Sequence, residues 1–237
     1  EKEDLDRFLT RTPMGNKGTF GKVLVLAGSG AMCGAAVLCA RAVLASGAGM
    51  VKVVTEERNR TPLFCALPEA MADFWKEDEP LPEEALLQDL AWADAVVAGP
   101  GLSKSRTAKE LLVFTVQHTE VPLVLDADAL NIIAEHRELL DLLHEGCILT
   151  PHMKEFERLA GKSVNDFERL NKLSIFANQY RVHIVLKGAH SVIATPDRRL
   201  FFNMSGNPGM AKGGAGDVLT GVLLALAANK LNLLALL

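Results

Sequence analysis

The sequence predicts an α/β protein with a mostly parallel central sheet and helices on both of its faces. Short apolar runs rich in β-branched residues alternate with longer stretches rich in Ala and Leu, and the short runs are apolar throughout. Strands that are buried on both faces need continuously apolar runs, because neither face meets water. With 237 residues and no internal repeat, the chain is expected to form a single domain over residues 1–237.

The predicted elements alternate in order along the chain. Strands are expected at residues 22–27, 50–55, 94–98, 122–126, 147–150, 183–187 and 191–195, where the apolar runs are short. Helices are expected at residues 34–46, 107–118, 130–143, 154–160 and 166–180, and a last helix begins near Asp217 and continues to residue 228. Residues 77–84 are acidic and contain two prolines, which indicates a surface loop.

Composition and charge exclude several classes of protein. Apolar residues make up 49% of the chain and charged residues 23%, unlike disordered or fibrous proteins. The net charge is −4, and no run of Lys and Arg supplies the basic face that a nucleic-acid partner needs. No apolar run reaches the roughly 18 residues of a membrane span, and residues 1–11 lack the apolar core of a signal peptide. We therefore expect no membrane partner and a cytoplasmic location.

The cysteines form no pattern that indicates a disulfide framework or a zinc site. They are Cys33, Cys39, Cys65 and Cys147, and no two of them have the CxxC spacing. The sequence therefore predicts reduced thiols that serve as small core residues.

The strongest chemical motif is the glycine-rich turn at residues 207–217, which leads into the last predicted helix. Gly213, Gly214 and Gly216 allow backbone N–H groups to turn towards an anion, and a helix start adds its partial positive charge. Asp217 falls in the first helical turn, where its carboxylate can act as general base for a hydroxyl that attacks phosphorus. The alternative is an ordinary turn with Asp217 as helix N-cap. The spacing matches neither a Walker loop nor a Rossmann turn.

Polar or glycine-rich segments follow five predicted strands, and parallel sheets bind ligands at that edge. These segments begin at Gly28, Gly99, Asp126, Thr150 and Lys187. The first, residues 28–36, has small side chains that either admit a ligand to the backbone or pack tightly. The last, residues 187–191, either faces a nucleotide or forms a plain hairpin.

Carboxylates in two of these segments are candidates for a Mg²⁺ site. Asp126 and Asp128 can help hold Mg²⁺ or orient its waters, or they can cap the next helix. His152 can contact a ligand and Glu155 can order a Mg²⁺-bound water. The alternative for this second pair is a helix cap, with Glu155 favoured by the helix dipole.

Taken together, these segments resemble the ADP/ATP-dependent (S)-NAD(P)H-hydrate dehydratases, a family of the ribokinase-like superfamily. The resemblance covers residues 17–54, 67–71, 99–102, 124–131, 149–152 with Glu155, 186–190 and 206–221. Each segment alone is modest, but their order over nearly the whole chain is specific. The resemblance implies a ribokinase-like α/β fold and a hydro-lyase activity.

The resemblance implies that ADP or ATP, with Mg²⁺, phosphorylates the C6 hydroxyl of the hydrated ring of NADH or NADPH. Phosphate then leaves and NAD(P)H is restored, since phosphate is a better leaving group than hydroxide. Asp217 would remove the hydroxyl proton, and the backbone of Gly213, Gly214, Ala215 and Gly216 would stabilise the transferred group.

The resemblance also implies the binding residues. The hydrate would contact Ala36, Gly101, His152 and Asp217. The adenine nucleotide would contact Lys187, Gly188, Ala189, His190, Ser191, Asn207 and Gly216. From the residues themselves, Glu155 and Asp126 are the candidates to meet the metal, either directly or through water.

Three further expectations accompany the resemblance. We expect a homo-oligomer, a tetramer by family resemblance, and a functional pairing with an NAD(P)H-hydrate epimerase whose domain this chain lacks. The family continues past the Asp217 helix, so we expect that some C-terminal helical sequence is missing. The alternative functions are a kinase for hydroxymethylpyrimidine or hydroxyethylthiazole and an inactive nucleotide sensor. Those kinases typically carry Asn where this chain has His152, which favours the dehydratase, and the intact turn at residues 213–217 disfavours the sensor.

Overall fold

The computed structural model describes residues 13–229. In that range the strands are β1 Lys22–Leu26, β2 Met50–Glu56, β3 Met71–Trp75, β4 Ala95–Ala98, β5 Leu123–Leu125, β6 Cys147–Leu149, β7 His183–Leu186, β8 Val192–Ala194 and β9 Leu200–Phe202. The helices are α1 Cys33–Ala45, α2 Arg60–Ala66, α3 Glu83–Trp92, α4 Arg106–His118, α5 Asp128–Glu135, α6 Met153–Ala160, α7 Asp166–Gln179 and α8 Ala215–Ala228. Short 3-10 helices cover Glu57–Asn59, Arg137–Leu142 and Pro208–Met210.

The strands form one sheet in the order β3–β2–β1–β4–β5–β6–β7–β8–β9. Neighbouring strands from β3 to β7 are parallel, and β8 and β9 are antiparallel additions at one edge. The chain moves outward from β1 to β3 and then returns to the other side of β1 as β4. Such a reversal opens a crevice at the carboxyl ends of the two strands, where sheets of this kind bind ligands.

Helices cover both faces of the sheet, as predicted. Alternate residues of a strand point to opposite faces, so Leu24 packs in the cluster that holds Leu111 of α4, and Val25 packs in the cluster that holds Leu224 of α8. The strands between the two layers are almost entirely buried. This double burial explains why their sequences are continuously apolar.

Helices α1 and α8 pack closely on the second face. A Cβ atom on Gly221 would overlap the Cys39 carbonyl and lie 2.8 Å from Cβ of Ala42. A larger residue at position 221 would therefore push the helices apart. The contact brings the first half of α1 beside the first turn of α8, and so beside Asp217.

The four cysteines are free thiols, but they are not all core residues. Cys39 and Cys147 are buried, Cys33 is partly exposed and Cys65 is exposed. The prediction of small core residues is wrong for Cys65, since it lies on α2 and faces solvent.

The structure adds four elements that the sequence patterns did not predict: α2, β3, α3 and β9. Strands β3 and β9 lie at the two edges of the sheet and are largely part-exposed. Asp73 interrupts the apolar residues of β3, and β9 has only three residues. Glu83 and Glu84 begin α3, where acidic side chains favour the positive helix start. The predicted loop at residues 77–84 therefore ends two residues early.

The predicted helix at residues 130–143 is two elements. Helix α5 ends at Glu135, because His136 leaves the helical conformation with φ −128° and ψ 70°. A 3-10 helix, Arg137–Leu142, then buries Leu139 and Leu140. In residues 13–229 no helix is both long enough and apolar enough to cross a membrane. The predictions about residues 1–11 and the sequence after α8 lie outside the described residues.

Candidate active site

Two turns close the reversal point between β1 and β4. The N–H groups of Gly28 and Ser29 donate to the carbonyls of Pro100 and Gly101 over 2.9 and 2.6 Å. Gly28 and Gly101 have φ of 79° and 59°, a backbone conformation that side chains other than glycine rarely adopt. A Cβ on Gly101 would also lie 2.8 Å from Cβ of Ala35. The turns therefore form a tightly joined wall beside the start of α1.

The glycine-rich turn forms a second wall, which opens towards solvent. Gly214 is left-handed, with φ 85°, and α8 begins at Ala215. In the first helical turn the N–H of Val218 donates to the Gly214 carbonyl over 3.0 Å. The N–H groups of Gly216 and Asp217 donate to no acceptor within residues 13–229. They are therefore free to bind an anion at the positive end of α8.

Asp217 lies at the start of α8, half-buried. Burial raises the pKa of its carboxyl, the nearby Asp126 raises that pKa further, and Lys187 opposes both effects. A carboxylate with a raised pKa is a stronger base than a solvated one. The arrangement thus supplies a base next to two free backbone donors.

A buried network lies directly beneath this turn. Asp126, which is 2% exposed, accepts from Nζ of Lys187 at 2.7 Å and from the Thr220 hydroxyl at 2.9 Å. The same hydroxyl lies 2.9 Å from the Gly216 carbonyl, so its single proton faces two acceptors. A Cβ on Gly216 would lie 3.5 Å from Nζ of Lys187, so the cation sits against the first turn of α8.

His152 and Glu155 form the capping arrangement that the sequence left as an alternative. Glu155 Oε2 accepts from the His152 N–H at 2.7 Å, and Nδ1 of His152 accepts from the N–H groups of Lys154 and Glu155 at 3.1 and 3.2 Å. Burial raises the pKa of Glu155, opposed by the His152 N–H and then by Lys187. The His152 ring is half-exposed, with Nε2 3.4 Å from Glu155 Oε1, so it can still reach a ligand.

The nucleotide candidates lie on the neighbouring hairpin. The N–H of Lys187 donates to the Pro151 carbonyl over 2.8 Å, which places this turn beside His152. Gly188, Ala189 and His190 are exposed, and the Ser191 hydroxyl lies 3.5 Å from the Gly188 carbonyl. The hairpin that the sequence left open is thus present between β7 and β8.

Two predicted residues stand apart from the cluster. Ala36 is fully buried, and its Cβ would lie 2.9 Å from a Cβ on Gly28, so its side chain packs under the first wall and faces no open surface. Asn207 is exposed, and its Oδ1 accepts from the Gly209 N–H at 2.7 Å. Gly206 lies against Ala189, since an added Cβ would be 3.1 Å from the Ala189 carbonyl. Asn207 therefore comes directly after a residue that lies against the hairpin.

The carboxylates fit a water-mediated metal contact better than direct ligation. Both oxygens of Asp126 are engaged, and those of Glu155 face His152. Asp128 accepts from the Ser103 N–H at 2.8 Å. No group of three or more His, Cys, Asp or Glu in residues 13–229 could hold a metal ion. Mg²⁺ keeps several waters and often binds through substrate phosphates, which such a site permits.

Sequence reasoning missed Thr220 and the polar residues Thr55, Glu56 and Asn59 around the first wall. Thr220 had a visible signal, because it is the single polar side chain in the apolar stretch 218–228. The other three residues gave no such signal in the sequence, since their partners are about 30 residues away at the end of another strand.

The chain is similar to known proteins over most of its length. The family model for NAD(P)H-hydrate dehydratase matches residues 23–235. The bifunctional NAD(P)H-hydrate repair enzyme Nnr of Moorella thermoacetica is 37% identical over 94% of this chain. The chain spans 43% of the length of that relative.

Solved structures are similar to this chain as well. The ADP/ATP-dependent NAD(P)H-hydrate dehydratase of Bacillus subtilis, co-crystallised with ATP/Mg²⁺, has a TM-score of 0.78 and 31% identity, covering 100% of this chain and 83% of that one. A ribokinase-like superfamily protein from Enterococcus faecalis has a TM-score of 0.84 and 28% identity, covering 97% and 79%. The predicted ribokinase-like fold is confirmed, and the chain belongs to the NAD(P)H-hydrate dehydratase family.

Proposed function

We propose that this protein dehydrates the S form of NAD(P)H-hydrate to NAD(P)H with ADP or ATP, as a hydro-lyase of metabolite repair. The observation that carries the proposal is the half-buried Asp217 beside two free N–H groups, with Lys187 beneath them. This arrangement suits proton removal from a hydroxyl and stabilisation of a phosphoryl group in one place.

The first step is phosphorylation of the C6 hydroxyl. Asp217 accepts the hydroxyl proton as the oxygen attacks the terminal phosphorus of ADP or ATP, and the bond from that phosphorus to the rest of the nucleotide breaks, so that AMP or ADP leaves. The N–H groups of Gly216 and Asp217 stabilise the phosphoryl oxygens, with the rest of the turn, Gly213, Gly214 and Ala215, shaping the approach. Glu155 and Asp126 would hold Mg²⁺, and the bound ion would supply neutralisation of phosphate charge.

The second step is loss of phosphate from C6. The lone pair of the ring nitrogen pushes the phosphate out, and C5 then loses a proton, so that the dihydronicotinamide double bond forms. Phosphate leaves readily where hydroxide would not, which explains why a nucleotide is consumed. Lys187 and the start of α8 stabilise the departing anion.

The two substrates approach from different directions. The hydrate lies between Gly101, His152 and Asp217, with Ala36 contributing through the packing of α1 under the first wall. The nucleotide lies along the exposed hairpin, residues 187–191, and Asn207, with its phosphates at Gly216. The exposure of this hairpin and the free N–H groups of α8 support that assignment.

The wider setting is proposed with the same activity. We infer one ribokinase-like domain over residues 1–237, a cytoplasmic location and a homo-oligomer, a tetramer by the resemblance. A functional pairing with an NAD(P)H-hydrate epimerase is supported by the bifunctional naming of the Moorella relative.

The test is restoration of the dihydronicotinamide absorption band from purified S-hydrate, with Mg²⁺ and either ADP or ATP in separate reactions. We expect NAD(P)H and inorganic phosphate to appear in equal amounts. Phosphorylation of hydroxymethylpyrimidine or hydroxyethylthiazole in a parallel reaction, without NAD(P)H formed from the hydrate, would instead identify a vitamin-precursor kinase. No hydrate-dependent signal with either nucleotide would overturn the proposal.

A further inference from the structure

A second buried polar cluster lies outside the phosphate-binding turn, at the carboxyl end of β2. Thr55 is 0% exposed and Asn59 is 2% exposed. The Asn59 amide donates to the Ser29 carbonyl over 3.1 Å and to the Thr55 hydroxyl over 2.9 Å. The Thr55 hydroxyl donates its own hydrogen bond to the Gly28 carbonyl over 3.0 Å. Both amide hydrogens and the hydroxyl proton are used, so the direction of every bond is fixed.

A third contact comes from the next residue of β2. The carboxylate of Glu56, which is 7% exposed, accepts from the N–H of Gly30 and pairs with the exposed Arg58 at 3.2 Å. Most buried polar groups in proteins are hydrogen-bonded, because an unpaired one costs free energy. Here three side chains from one short segment, Thr55, Glu56 and Asn59, bond to three consecutive residues of one turn. We call these three side chains the clasp.

The Gly28–Gly30 turn is therefore held from two sides. Gly28 and Ser29 donate to the Gly101 turn on one side, as described above, and their carbonyls accept from Thr55 and Asn59 on the other. Their peptide groups have little freedom left, although φ is positive at Gly28.

The first wall and the phosphate-binding turn lie beside neighbouring turns of α1. Gly101 would meet Met32 and Ala35 in the first turn of α1, whereas Gly214 would meet Leu38 one turn later. One helical turn spans about 5 Å, so the two walls are separated by roughly that rise along α1. The proposed hydrate position lies between them.

We propose that Asn59 and Thr55, with Glu56, are positioning residues that fix the Gly28–Gly30 turn as the wall of the hydrate site opposite Asp217. This inference rests on the proposed function. The segment touches no reacting atom, and it acts through the turn. The nucleotide hairpin follows β7, four strands from β1, or about 19 Å at the usual strand spacing. Loss of the clasp should therefore weaken binding of the hydrate and leave binding of the nucleotide nearly unchanged.

The test compares Asn59→Ala and Thr55→Val with the control Asn178→Ala. Asn178 also donates its amide to a loop carbonyl, that of Pro196 at 2.7 Å, and also accepts from Arg198, but it lies on α7 away from both walls. We expect each clasp variant to raise the KM for the hydrate about tenfold and to leave the KM for ADP within about twofold. Thr55→Ser, which keeps the hydroxyl, should bring the hydrate KM back close to that of the wild type.

A second measurement does not depend on turnover. Amide hydrogen exchange over residues 28–32 should become at least about tenfold faster in Asn59→Ala, while residues 213–217 keep their rates. If Asn59→Ala does not fold, Glu56→Gln and Thr55→Val test the same turn. Three outcomes would each overturn the proposed role of the clasp. They are an equal rise in the KM values of hydrate and ADP, an unchanged hydrate KM in an active protein, and unchanged amide exchange at residues 28–32. A wild-type protein without nucleotide-dependent NAD(P)H formation would instead overturn the proposed function.

Discussion

The two walls of the candidate site use glycine in opposite ways. In the Gly28–Gly30 and Gly101 turns, backbone groups are paired with each other or with buried side chains. At the start of α8, the N–H groups of Gly216 and Asp217 have no acceptor in the described residues. Glycine shapes a rigid surface in the first wall and leaves donors open in the second. Under the proposed function, the first wall would orient the substrate and the second would stabilise developing charge.

The largest effect is expected at Asp217, the proposed general base in the second, open wall. Asp217→Asn should lower kcat by about a hundredfold to ten-thousandfold, since a positioned general base contributes on that order. The folded state raises the Asp217 pKa, so ionised Asp217 opposes folding, and stability is lost as pH rises through that pKa. The variant should therefore unfold at an equal or higher temperature at neutral pH. Activity and melting temperature are measured on the same sample, and an unchanged kcat would refute Asp217 as the base.

The next effect concerns the charge beneath the open wall. Lys187→Met leaves Asp126 buried without its cation, which we expect to lower the free energy of unfolding by about 3 kcal/mol. Adding Asp126→Asn to Lys187→Met should recover most of that loss, because the uncompensated charge is gone. Urea unfolding of the two single variants and the double variant measures the coupling. Additive losses would show that the ion pair is not the reason for the effect.

A matched pair of glycine substitutions compares the walls directly. Gly101→Ala should destabilise the protein by about 1–3 kcal/mol, because φ is positive and the new Cβ would collide with Ala35. Gly213→Ala meets nothing within 4 Å and should change stability by less than about 0.5 kcal/mol. Its effect should fall on the KM for the nucleotide. Similar destabilisation at both positions would contradict the contrast between a packed wall and an open one.

The smallest effect is expected at Thr220. Thr220→Val removes one hydrogen bond to Asp126 but retains Lys187, so unfolding should become easier by about 1 kcal/mol. Thr220→Ser keeps the hydroxyl and serves as the control. Thermal unfolding of both variants measures the difference, which should vanish if the hydroxyl donates only to the Gly216 carbonyl of its own helix.

Local sequence patterns predicted the strands well, because burial on both faces imposes continuous apolar runs that can be recognised without knowing the neighbours. The edge strands β3 and β9 escaped prediction because they are covered only in part: β3 mixes apolar residues with Asp73, and β9 is an apolar run of only three residues. The helix break at His136 also escaped, since residues 130–143 contain neither Pro nor Gly. Among the candidate site residues, the capping role of the His152 and Glu155 pair was recognised only as an alternative.

The sequence by itself determined the α/β class, the family resemblance, and the glycine-rich turn with Asp217 at a helix start. The α/β class and the turn depend on residues close together in the chain, where spacing fixes geometry, and the resemblance depends on the order of such segments along the sequence. Only the tertiary structure decided that Lys187 pairs with Asp126, 61 residues away, and that Asn59 fixes the turn after β1. Those contacts depend on strand order and register, which arise when the sheet assembles and which no local pattern specifies.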